Sequence, residues 1–123
     1  MKIEQNYDFR KELLTVHEAN VRKNERKAKA DELCLSRGAC IRIDAGACEV
    51  ISVAARDFCD YLSVSMGVSA SVVTEGCGDV TVRLASDAGV DLGEFAAYKG
   101  FRIETNADGI TVTAHDERGA GQA

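Results

Sequence analysis

At 123 residues the chain is long enough for one domain with its own core, and 46% hydrophobic with 28% charged residues exclude a wholly disordered chain. Five cysteines at wide, irregular intervals, with no CxxC pair, exclude a zinc ribbon or a thioredoxin-type centre. The net charge of −5 is uneven: residues 1–37 hold nine Lys/Arg and seven Asp/Glu (net +2), residues 38–123 six and thirteen (net −7), and so acidic a body argues against a nucleic-acid partner.

Residues 7–35 are predicted as a long, mostly polar helix. Its apolar row, Leu14, Val21, Ala28 and Leu35, repeats every seven positions. The positions that would complete a coiled-coil seam, His17, Asn24 and Asp31, are polar, so the helix is expected to dock by one narrow stripe. The N-terminus lacks the apolar core of a signal sequence and no stretch is long enough to span a bilayer, which points to a cytoplasmic chain with no membrane partner. The basic cluster Arg22, Lys23, Arg26, Lys27 and Lys29 has no interleaved aromatics and reads as a solvated helix face.

ACIRID (39–44) alternates as a strand does. Residues 49–66 form the clearest helix, with Val50, Ala54, Phe58, Tyr61, Leu62 and Met66 expected on its buried face and Phe58 as its core anchor. Arg56, Asp57, Asp60 and Ser63 fall on the other side, and Gly67 is placed to end the helix. ASVVTE (70–75) and DVTVRLA (79–85), joined by Gly76-Cys77-Gly78, suggest a hairpin, and residues 86–99 a loop with room for one helical turn. GFRIETN (100–106) and GITVTAH (109–115), joined across an Asp-Gly turn, suggest a second hairpin. The expected fold is α+β: a mainly antiparallel mixed sheet with one core helix packed on a face, plus the N-terminal helix. Residues 1–37 form an extension and 38–123 the domain.

The candidate chemistry is sparse. His17-Glu18 begins an HExxH motif, but Val21 stands where the second histidine must be, so no zinc site is expected. Asp116-Glu117 are adjacent and, in a strand, would point to opposite faces; Asp57 and Asp60 are expected to be exposed; His115 has no partner at a spacing that supports catalysis. The glycines form no dinucleotide or phosphate loop. No catalytic, cofactor-binding or metal-binding residue is assigned, no cofactor is expected, and the cysteines read as small buried thiols.

Four stretches in order carry a family resemblance: AARDFCDYL (54–62), MGVSASVV (66–73), YKGFRIET–NADGITVTAHD (98–116) and ERGAGQA (117–123). Residues 40–121, about two-thirds of the chain, resemble the zincin-like domain that precedes the catalytic barrel in family 20 β-N-acetylhexosaminidases, and the N-terminal domain of α-glucuronidases is similar. That resemblance implies an accessory domain without a metal site, packed against a (β/α)8 barrel that carries the catalytic Asp-Glu pair, neither of which matches a residue here. Residues 117–123 then correspond to a Gly-rich entry into a linking helix. The expected contact face is the side of the sheet away from helix 49–66, with at most weak self-association. The competing expectation is a free-standing interaction module that binds through its N-terminal helix; low aromatic content speaks against a sugar-binding module.

Overall fold

The computed structural model describes residue 5 and residues 10–11, 27–35, 38–44, 48–76 and 78–123. Most of the expected N-terminal helix, with His17, Glu18 and Val21, lies outside the described residues. Its C-terminal part, residues 27–35, is not helical. The chain turns there instead: the Glu32 amide donates to the Lys29 carbonyl at 3.1 Å, and the Lys29 amide to the Glu32 carboxylate at 2.9 Å. A side chain that closes a local turn competes with helix continuation.

The strands are β1 (Ala39–Ile43), β2 (Ala70–Val73), β3 (Val80–Leu84), β4 (Phe101–Asn106) and β5 (Gly109–Ala114). The helices are α1 (Glu49–Met66), α2 (Ala85–Ala88) and α3 (Glu117–Gln122), with a 3₁₀ turn at Gly93–Phe95. Together the strands make one mixed sheet in the order β2-β1-β3-β5-β4, with α1 against one face, so the α+β architecture is as the sequence predicts. The pairing is not. β1 runs parallel to both β2 and β3, β3 runs parallel to β5, and only β4–β5 is antiparallel.

The expected first hairpin does not form, because β1 lies between β2 and β3. A stagger in register makes this possible. Val73 of β2 is level with Arg42, and Val80 of β3 is level with Ile41, so the chain has only to step sideways across β1. Parallel neighbours usually need a crossover of about a dozen residues; here residues 74–79 suffice because β3 begins nearly where β2 ends. The crossing passes close over Arg42. Arg42 donates to the Gly76 carbonyl at 2.7 Å, and a Cβ on Gly78 would stand 2.6 Å from the Arg42 Cβ. Asp79 then ties three strands together, its carboxylate accepting from the Cys40 amide at 2.7 Å and its carbonyl from the Ile110 amide at 2.8 Å.

The second hairpin forms as expected. The Asn106 side-chain oxygen accepts from the Asp108 and Gly109 amides and so shapes the turn. Helix α1 ends at Gly67, whose φ of 63° is the left-handed conformation that glycine adopts without steric cost.

The core lies between α1 and the central strands: Ile41, Ile43, Val80, Val82 and Val112 from the sheet, Ile51, Ala55 and Cys59 from the helix. The buried face of α1 is thus Ile51, Ala55, Cys59, Leu62 and Ser65. It is turned by about one residue from the predicted stripe, of which only Leu62 is buried. Phe58 is 40% exposed and is not the core anchor. The apolar arc of α1 is wider than the sheet can cover. Periodicity located that arc but not the part of it that touches the sheet.

Among the described residues, no helix is long and apolar enough to cross a membrane.

Candidate interaction surfaces

The residues singled out for chemistry do not converge. Asp57 and Asp60 are exposed on α1 and His115 is exposed beyond β5. Asp116 and Glu117 are not in a strand: Asp116 caps α3, and Glu117 opens its first turn. Cys34, Cys40, Cys48 and Cys59 form no disulfide, Cys77 lies outside the described residues, and burial pushes the Cys59 thiol up, with Asp60 and Cys40 adding to the effect. Among the described residues, no cluster of His, Cys, Asp or Glu is placed to hold a metal ion.

Asp116 does structural work of a different kind. One carboxylate oxygen accepts from the Gly119 amide at 2.7 Å and the other from the Lys99 amide at 2.9 Å. Those two donors hold the carboxyl below its ordinary value. The Gly100 carbonyl accepts from the His115 amide at 2.8 Å, and a Cβ on Gly119 would come within 2.6 Å of that same carbonyl. The start of α3 is thus clasped to the turn that leads into β4. The clasp needs Gly119 because backbone meets backbone there. It lays α3 beside α1, where a Cβ on Gly121 would be 3.4 Å from a Val50 methyl. Its signal in the sequence was the spacing Asp116-x-x-Gly119, which places a cap and its acceptor-bound amide three residues apart.

Among the described residues, two surfaces remain uncovered. The first is the flank of α1 beside α3. Val50 and Val53 are each 45% exposed, and Phe58, on the sheet side of the helix, is 40% exposed. This flank continues into an open apolar groove of about 330 Å³ over the sheet, which reaches Phe58, Ile103, Ile110 and Ala120. It holds much of the stripe that the sequence assigned to the core. The second is the opposite face of the sheet, where the register places Arg42, Arg83, Arg102 and Glu104 among Thr81, Thr111 and Thr113. Arg83 Nε donates to Thr113 Oγ1 at 3.0 Å, and Arg42 pairs with Asp44 at 2.6 Å. This face is polar, as the alternation predicted. Three of the six cations in residues 38–123 gather on it, within an acidic body. The connection before β4 adds two exposed aromatics, Phe95 and Tyr98, away from any groove lining described above.

Comparison with known proteins adds no relative: no family model, no curated protein and no solved structure matches this chain.

Proposed function

We propose that this chain is a non-catalytic accessory domain of a glycoside hydrolase, which packs against a (β/α)8 catalytic barrel outside the 123 residues. The resemblance carried by residues 54–62, 66–73 and 98–123 supplies the family. The observation that most supports a packing role is the uncovered flank of α1. A helix whose apolar arc extends past its own sheet, through Val50, Val53 and Phe58, presents what a second domain would cover. The proposed contact is therefore on the helix side, not on the arginine-bearing sheet face. An interdomain contact buries moderate area and tolerates polar groups at its rim, and Asp57, Lys99 and Arg118 around the α1–α3 cleft fit such a rim.

The reading frame beyond the codon for Ala123 tests the proposal. It should continue into an α/β barrel of about 250 residues or more, with paired carboxylates at the ends of its strands. A stop codon there, or a downstream domain of another architecture, would sink the reading. If the barrel is present, Val53→Asp in the whole protein should loosen the two domains and make the linker after α3 more sensitive to protease.

A further inference from the structure

We infer that β4 is a self-complementary edge through which two copies of this chain join into one continuous ten-stranded sheet. The inference does not rest on the accessory-domain reading.

β4 is the last strand of the sheet, and among the described residues no strand pairs with its outer side. The hydrogen-bond phase of the hairpin fixes which residues face outward. The Ile110 amide donates to Asp79 on the β3 side, so Ile110 does not exchange bonds with Thr105, its partner across β4–β5. The His115 amide donates to Gly100, one level beyond the Phe101–Ala114 pair, which agrees with the same phase. In an antiparallel pair the bonding residues alternate. Arg102, Glu104 and Asn106 therefore bond to β5, while Phe101, Ile103 and Thr105 turn their amides and carbonyls to the open edge.

A second β4 set antiparallel about a two-fold axis at Ile103 satisfies that edge. Ile103 exchanges both backbone bonds with Ile103 of the partner subunit, and Phe101 does so with Thr105 of the partner subunit. Arg102 then stands opposite Glu104 of the partner subunit, in the close non-bonded position where side chains interact most directly. The symmetry makes that contact twice.

The neighbouring two-fold registers are disfavoured by the same charges. An axis at Arg102 sets arginine against arginine, and one at Glu104 sets carboxylate against carboxylate. The strand therefore selects one register as well as permitting association. Natural edges are commonly blunted by a lysine, a proline or a bulge; the chain contains no proline, and β4 contains no lysine and keeps an unbroken register with β5.

Two features of the monomer fit this partner. Ile103 is 45% exposed on the helix side, where its counterpart would cover it. On the other side the Arg102 and Glu104 side chains, 3.5 Å apart, are 40% and 53% exposed, so the partner's Glu104 and the partner's Arg102 can reach them. A single strand pair buries little area, so the dimer is reversible and concentration-dependent.

Sedimentation of the full chain across a wide concentration range is the test, with amide exchange to read the register. The mass should rise toward the dimer with concentration. The Ile103 and Thr105 amides should slow as it does, while those of Arg102 and Glu104, already bonded to β5, should not change. Glu104→Arg should weaken association by at least about tenfold, and combining it with Arg102→Glu should restore association. Ile103→Pro, which removes only an outward amide, should give a folded monomer by circular dichroism. Glu104 is exposed, so Glu104→Arg keeps the test open if the proline variant fails to fold. A chain that stays monomeric throughout, or a dimer indifferent to Glu104→Arg, overturns the inference. Neither result bears on whether a barrel follows Ala123.

Discussion

One row of side chains crosses the sheet from Ile43 through Val82 and Val112 to Ile103, each opposite the next in register. The first three are 4%, 9% and 6% exposed; Ile103 is 45% exposed. All four occupy the same phase of the same alternating pattern and differ only in what lies above them. Helix α1 covers the parallel centre, α3 reaches partway over β5, and nothing described covers β4. Alternation thus tells which side chains share a face, and the placement of one long helix decides which of them become core.

Truncation along that row gives the largest contrast. Ile43→Ala should cost about 2–5 kcal/mol, a large part of the total stability of a small domain, whether measured by denaturant or by heat. Gly100→Ala tests the rim instead. Its new Cβ would collide with the Phe95 carbonyl oxygen, and since backbone must move, the cost should be about 1–3 kcal/mol. Ile103→Ala, measured at a concentration where the chain is monomeric, should cost below about 1 kcal/mol, because much of the side chain already meets water. Comparable losses from Ile43→Ala and Ile103→Ala would show that β4 is covered in solution and break the comparison.

The smallest effect concerns the clasp. Asp116 has a folded-state value below its ordinary 3.8, so its contribution is fully present above that pH and is lost as pH falls through the lower folded value. Asp116→Asn keeps a cap acceptor but removes the charge. The variant should therefore be slightly less stable than the parent at neutral pH, and the difference should vanish at the acid end of a melting series. A difference that grew on acidification would mean that the carboxylate is not held ionised by Lys99 and Gly119.

Local chemistry was legible where it was local. The helix at 49–66 and its glycine stop, the strand within 39–44 and the Asp-Gly hairpin are each specified within a few residues, by period, by a left-handed terminus or by an Asx turn, and each stands where it was predicted. Two things were not local. Which run pairs with which depended on the stagger that lets residues 74–79 cross β1, and two β-branched runs with glycines between them read equally well as a hairpin. Which arc of α1 is buried depended on where the sheet ended, so Phe58 and Ile51, both apolar and both within the helical pattern, exchanged roles. The uncovered flank of α1 and the open edge of β4 follow from those two outcomes. A sequence states which residues seek an apolar neighbour; only the assembled layers decide which of them, at Val50, Phe58 and Ile103, the described residues leave partly open to water.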